Sequence, residues 1–327
     1  MANNKIRALA LTGPTASGKS DLSLALAKRY GAEIIGCDSM QIYKHMDIGT
    51  AKPDPTARAA VPHHLVDFLE IGELYSAERY REDTRRTLAD ITKRGRLALF
   101  VGGTGLYLDT LTRGESDGVP GSDAEYRDKI LASIKTEDDV EALWQRLKAV
   151  DPESAEAVHK NNVKRVIRCL EIYDKTGKPK SLWDKESRDK PGDVELCHLT
   201  LDFHNRDTLY DRIDTRVMQM LDMGLVGEVE ALYKAGYLRL ADTSSYAIGY
   251  KELLGYLLGE EELSSAVSKI KLSTRRYAKR QLTWFRQKSD AYRLYVDNED
   301  GTLRDKNELI EEACSVIDDF LPLICKG

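Results

Sequence analysis

No apolar run in these 327 residues approaches the roughly 18 residues that a membrane span needs, which excludes a helical membrane protein. Cysteine is sparse and scattered. Cys37, Cys169, Cys197, Cys314 and Cys325 include no C-x-x-C pair, so neither a zinc module nor a disulfide framework is expected, and a reducing cytoplasm fits best. Positive charge is not in excess either: 49 Lys and Arg face 54 Asp and Glu, a formal net charge of −5. That balance excludes a protein that coats nucleic acid through its total charge and leaves room only for a local basic face. The opening MANNKIRALALTGPT holds an apolar run too short for a signal-peptide core and reads as a first strand. His63 and His64 are adjacent, and neighbours in a strand point to opposite faces, so they make a poor chelating pair and receive no metal role. Neither an internal repeat nor a low-complexity tract is evident. With domains of about 100–200 residues, the length suits one large core plus a smaller unit.

What is present starts at Ala8 with ALALTGPTASGKSDLSLALAKRY. Gly13, Gly18, Lys19 and Ser20 satisfy G-x-x-x-x-G-K-[ST], with a strand-like run before them and apolar residues at helical spacing after them. A loop running from Gly13 through Thr15, Ala16 and Ser17 to Ser20 turns backbone N–H groups toward an anion, and the next helix adds its positive end. Lys19 is expected to bind phosphate oxygens and Ser20 to reach Mg2+. Many proteins with this loop carry a second strand ending in an acid that helps to hold magnesium. Here RLALFV runs into GGTGLYL without one, which weakens an ATPase or GTPase reading.

Asp38 follows the apolar run AEIIG, at the strand end where open α/β sheets place ligands; a lone Asp there equally caps a turn. The glycines of GGTG, around Thr104, permit close backbone approach or simply turn the strand end. Arg212 and Arg216 stand four apart on one helical face, suited either to phosphate oxygens or to pairing with Asp207, Asp211 or Asp214. Lys269 to Lys288, KIKLSTRRYAKRQLTWFRQK, holds no acid in an otherwise acidic chain. Lys279, Arg280 and Arg286, interleaved with Trp284 and Phe285, suit either a nucleic-acid footprint or a solvated helix face.

GPTASGKS, DSMQIYKHMDIGTAKP, VPHHLVDF, FVGGTGLYL, NNVKRVIRCLEIY, AIGYKEL and AKRQLTWFR, in that order, resemble the signature stretches of the tRNA dimethylallyltransferases, or tRNA isopentenyltransferases, of the bacterial type. The resemblance spans most of the chain. It implies transfer of a dimethylallyl group from its diphosphate to N6 of adenosine 37, beside the anticodon, in tRNAs reading UNN codons. The diphosphate would be held by Gly13, Thr15, Ala16, Ser17, Gly18, Lys19, Ser20 and Arg212. Asp38, Thr104 and Arg216 would be catalytic, with Asp38 as general base. The tRNA anticodon stem-loop would meet Asp38, Ser39, Met40, Gln41, Lys164, Arg165, Arg168, Tyr246, Gly249, Tyr250 and Lys251. Further along, it would meet Lys279, Arg280, Gln281, Trp284 and Arg286. Mg2+ is the implied cofactor, dimethylallyl diphosphate the co-substrate, and a cytoplasmic monomer the implied state. Absence of a C-terminal C2H2 pattern accords with the bacterial type.

The expected fold is α/β, a P-loop-type parallel sheet flanked by helices. Residues 1–113 and 193–327 would form the catalytic core with C-terminal helices, and residues 114–192, charged and helical, an inserted tRNA-binding lobe. Three rival readings use the same loop. A small-molecule kinase would take ATP there and use Arg165 and Arg168 as lid arginines. An adenylate dimethylallyltransferase would need no separate basic segments. A non-catalytic RNA-binding protein would not need Lys19, Ser20 and Asp38 intact.

Overall fold

The structure, a computed structural model, describes residues 5–113, 119–190, 192, 194–238 and 247–321. The chain divides into two compact units, Met1–Asp109 with Val194–Gly327, and Thr110–Asp193.

The first unit begins with β1 (Ile6–Thr12), α1 (Lys19–Tyr30), β2 (Ala32–Gly36), α2 (Pro55–Ala60), β3 (His63–His64), α3 (Ala77–Lys93), β4 (Leu97–Gly102) and α4 (Gly105–Thr112), the last running across the boundary. The second unit carries α5 (Ala124–Ser133), α6 (Glu137–Val150), α7 (Pro152–Ala157), α8 (Val163–Thr176) and α9 (Lys180–Asp189). The chain then returns through β5 (Val194–Asp202), α10 (Arg206–Asp222), α11 (Leu225–Lys234), α12 (Tyr250–Leu257), α13 (Leu263–Arg286), β6 (Tyr292–Tyr295) and α14 (Lys306–Phe320).

The six strands pair in parallel in the order β3-β2-β4-β1-β5-β6. β1 and β4, both without a charged residue in their buried stretches, read as continuous apolar runs because helices cover both faces of such a sheet. One consequence positions everything that follows. β1, β4 and β2 are consecutive in the sheet, so the segments leaving their carboxyl ends emerge side by side: the glycine loop, GGTG and the Asp38 turn.

Two apolar clusters hold this unit together. The first packs Leu9 and Leu11 against Leu26, Leu199, Leu209, Ile213, Leu282 and Ile317. Truncating one such leucine to alanine would cost about 2–5 kcal/mol. The second gathers Ile42, Tyr43, Met46 and Leu69 with Val217, Val229, Leu253 and Ile270. α10 and α13 contribute to both clusters, so each long helix is pinned at two places, and the residues between the pins have fixed positions. β6, a four-residue edge strand on β5, interrupts what the sequence suggested would be helices to the C-terminus.

The second unit is built on Leu147, Ala155, Val166, Cys169 and Leu170. Of its buried acids, Glu171 is answered by Arg127 at 2.8 Å, Arg168 at 3.1 Å and the Asp123 amide at 2.6 Å. Four cysteines, Cys37, Cys169, Cys197 and Cys314, are buried and unbridged; Cys325 lies outside the described residues.

Candidate active site

The loop between β1 and α1 has the backbone its sequence demands. Gly18 caps α1 at φ 95°, a left-handed value that a side chain would resist, and Ala16 holds φ 63° despite its Cβ. Lys19 Nζ donates to Gly13 O at 2.9 Å and Pro14 O at 2.6 Å, folding over its own loop. Arg212 Nε donates to Ala16 O at 2.8 Å, which ties α10 to the loop. Burial and the nearby Arg216 lower the Lys19 pKa to about 7, against a smaller opposing pull from Asp38. Arg216 is also lowered by burial, with Asp38 opposing and Arg212 reinforcing. Asp214, a possible partner for these arginines, is instead held in bidentate fashion by Arg275 at 3.0 and 2.6 Å. Among the described residues no ion pair claims Arg212 or Arg216, so Lys19, Arg212 and Arg216 form a concentrated positive field, with Asp38 beside Lys19 and Arg216 and Asp21 near Arg212.

Asp38 follows β2, and both readings of it from sequence are realised. Its Oδ1 accepts from the Met40 amide at 2.9 Å, capping the turn, while the residue lines the same cavity as Lys19 and Arg216. Thr104 braces that turn from β4: its N–H donates to Cys37 O at 3.0 Å, and its Oγ1 accepts the Ser39 amide at 3.1 Å. The cavity measures about 1540 Å³. Its wall includes Thr15, Ala16, Ser17, Gly18, Lys19 and Ser20, then Asp38, Ser39, Met40 and Gln41, and also Arg212, Arg216, Gly249, Lys251, Arg280 and Gln281. Gly13 and Thr104 do not themselves line the cavity, and Gly13 packs against Leu201.

The part of the cavity wall at Asp47, Ile48 and Gly49 is braced by residues that the sequence did not single out. Glu228 of α11 accepts from the Asp47, Ile48 and Gly49 amides at 3.1, 2.8 and 3.2 Å, and from the Tyr250 hydroxyl at 2.5 Å. Tyr250, expected near tRNA, is fully buried in this latch. Lys52 Nζ, also buried, donates to Tyr43 O, Asp47 and Asp67 at 2.6–2.7 Å. Tyr246 lies outside the described residues.

The basic run on α13 is sorted by its neighbours. Of its eight cations, five meet acids: Lys269 with Glu261, Lys271 and Arg275 with Asp214, Arg286 with Asp202, and Lys288 with Asp109. Arg276, Lys279 and Arg280 have no acid partner among the described residues, are exposed, and share one helix face. Arg276 was not foreseen from sequence. The structure gives three residues expected to meet tRNA internal partners: Gln281 is 5% exposed and bonded to two loops, Trp284 packs on Gly105, and Arg286 forks onto Asp202 at 2.9 and 2.7 Å. Tyr277, one turn before Gln281, borders the cavity beside Thr104 and Asp38.

In the second unit, Lys164 and Arg165 are exposed in the first turn of α8, while Arg168 is held by Pro120 O at 2.8 Å and by Glu171. His63 and His64 turn to separate partners, Val61 O and Glu33.

Fold and cleft together define an α/β protein of the P-loop type, with its cationic loop sharing a cavity with an aspartate at the end of the next-but-one strand. Residues 41–288 match the family model described as IPP transferase, and residues 6–61 match one described as isopentenyl transferase. The chain is 45% identical to a tRNA dimethylallyltransferase of Acetivibrio thermocellus over 298 residues, 90% of this chain and 93% of that relative. It is 48% identical to one of Geobacillus thermodenitrificans, over 84% of this chain and 86% of that one. Among solved structures, the full-length tRNA isopentenylpyrophosphate transferase of Bacillus halodurans superposes with TM-score 0.69 at 38% identity, covering 97% and 96% of the two chains. A eukaryotic dimethylallyltransferase acting on tRNA superposes at 0.79 with 30% identity, covering 96% of this chain and 79% of that one. The chain belongs to the IPP transferase family.

Proposed function

We propose that this chain transfers the dimethylallyl group of dimethylallyl diphosphate to N6 of adenosine 37 in tRNAs reading UNN codons, giving N6-(dimethylallyl)adenosine. The observation that carries the reading is the meeting, in one cavity, of a cationic phosphate-type loop and a carboxylate braced on the next-but-one strand.

In the reaction, N6 attacks C1 of the dimethylallyl group, the C1–O bond breaks, and diphosphate leaves with the electron pair. Charge therefore grows on the diphosphate. The loop amides from Gly13 to Ser20, with Lys19, Arg212 and Arg216, supply a fixed positive field at that place, which needs no reorganisation as the bond breaks. Lys19 would exchange its loop carbonyls for phosphate oxygens. Asp38 takes the N6 proton; its Oδ1 is already anchored by the Met40 amide, so the carboxylate is aimed before the base arrives. Thr104 acts where donor and acceptor meet, holding the Ser39 amide beside Asp38. The adenine must leave the anticodon stack to enter the cavity, whose wall at Ser39, Met40 and Gln41 would receive it.

Ser20 is exposed on the first turn of α1, and no group of three or more acidic, His or Cys side chains suited to a metal stands among the described residues. That donor set fits a Mg2+ held mainly by substrate phosphates and water, with Ser20 adding one oxygen. Such an ion would neutralise charge on the leaving diphosphate.

The tRNA footprint is assigned to Arg276, Lys279 and Arg280 on α13, Gly249 and Lys251 on α12, and Lys164 and Arg165 in the helical unit, which we propose as a tRNA-binding lobe. Cations in the first turn of α8 oppose the helix dipole, by about 0.3–1 kcal/mol each, so their placement answers to something other than helix stability. We place the protein in the cytoplasm as a monomer; no helix among the described residues is long and apolar enough to cross a membrane.

Asp38→Asn tests the assignment. Transfer should fall by about 10²–10⁴ with tRNA and donor affinities nearly unchanged. A rate near wild type removes Asp38 from the role of base.

A further inference from the structure

Gln281 stands in the most basic stretch of the chain, but its side chain faces inward. Its Oε1 accepts from the Thr15 amide of the glycine loop at 2.9 Å, and its Nε2 donates to Gly103 O, at the end of β4, at 3.0 Å. The chemistry of the partners fixes the amide's orientation, since an N–H must meet the oxygen and a carbonyl the nitrogen. Gly103 is shaped for this contact: a Cβ there would lie 2.1 Å from Gln281 Nε2. Gly103 precedes Thr104, which holds the Ser39 amide next to Asp38. A single buried amide therefore spans the diphosphate loop and the turn that supports the base. On the same helix Arg276, Lys279 and Arg280 are, by contrast, exposed.

We infer that Gln281 is a positioning residue that sets the glycine loop relative to the Asp38 turn, and not a contact to tRNA. The inference rests on the reading of the loop as the diphosphate site. Neither Leu nor ionised Glu reproduces the pair of bonds: Leu leaves the Thr15 amide and the Gly103 carbonyl unanswered, and an ionised Glu satisfies the first while repelling the second. A protonated Glu restores the pair, its carbonyl oxygen accepting from the Thr15 amide and its O–H donating to Gly103 O.

Inorganic diphosphate and tRNA binding to the full-length protein, measured separately by calorimetry, test this together with steady-state transfer. For Gln281→Leu, diphosphate affinity and kcat/KM for the donor should fall about tenfold or more, with tRNA affinity within about twofold of wild type. Loss of tRNA affinity with diphosphate affinity intact would overturn the inference and make Gln281 a tRNA contact. Gln281→Glu provides a readout that survives a folding defect in the Leu variant: its activity relative to wild type should rise as pH falls toward 5.5. A flat relative profile would overturn the inference. If the wild-type protein itself binds no diphosphate, the donor-loop reading fails and the inference with it, an outcome visible without any variant.

Discussion

The glycine loop and α13 both carry positive charge to the same cavity, yet by different means. In the loop, function resides in a backbone shape, and the residues that create the shape are the motif itself: Gly18 at φ 95°, a following helix N-terminus, and Lys19 folded over Gly13 O and Pro14 O. On α13, function resides in which side chains remain available after the core and the acids of other elements have taken theirs. A loop of this kind announces itself locally. A helix of this kind is defined by its surroundings.

Substitutions can break the comparison at either end. The largest effect belongs to the loop: Lys19→Met should lower transfer by about 10²–10³, as expected for losing one preorganised donor at a growing charge. The same variant should melt higher at pH 7. Burial holds the Lys19 pKa at about 7, below its unfolded value of about 10.4, so between those values the unfolded chain binds more protons and folding gains as pH rises. At and below neutrality that gain is absent and the ammonium burdens the fold. A lower melting temperature, measured by calorimetry, would contradict this.

On α13 the expected effect is smaller and has a different signature. Arg276, Lys279 and Arg280 changed together to Ala should lower the slope of log affinity for tRNA against log salt by about 2–3, from roughly 0.7–0.9 per phosphate contact. Replacing Lys269 and Lys271, which face Glu261 and Asp214, should leave the slope near wild type. Equal effects from the two sets would erase the distinction between available and occupied cations. pH gives the next test. Because Lys19 loses its proton above about 7, donor affinity should weaken by up to about tenfold per unit between pH 8 and 9, with proton uptake on binding. Invariant affinity there would separate Lys19 from the diphosphate. Smallest of all, Arg165→Glu should stabilise the start of α8 by a few tenths of a kcal/mol or about 1 while weakening tRNA binding, two changes of opposite sign that only a functional cation predicts.

The same contrast explains how much was legible in the sequence. The parallel sheet, the loop, Asp38 at a strand end and the i,i+4 pair Arg212 and Arg216 all follow from local pattern, and the structure brings them to one cavity. The fate of the basic run was not local. Arg275, Arg286 and Lys288 are occupied by Asp214, Asp202 and Asp109, 61, 84 and 179 residues away in the chain. Arg276 differs from Arg275 only in the direction its helix position points. Glu228 and Lys52 were invisible for the same reason: each is a charged residue whose partners, loop amides in one case and two aspartates in the other, assemble only in the fold. β6, four residues long at a sheet edge, carries too little pattern to stand out.

The most direct test of the whole account is a transfer assay with labelled dimethylallyl diphosphate, run in parallel on unmodified UNN-reading tRNA, on AMP and without acceptor, followed by nucleoside analysis. Label confined to N6 of adenosine 37 in the tRNA reaction is the predicted result. Label on AMP, or no transfer by folded protein to either acceptor, would contradict it.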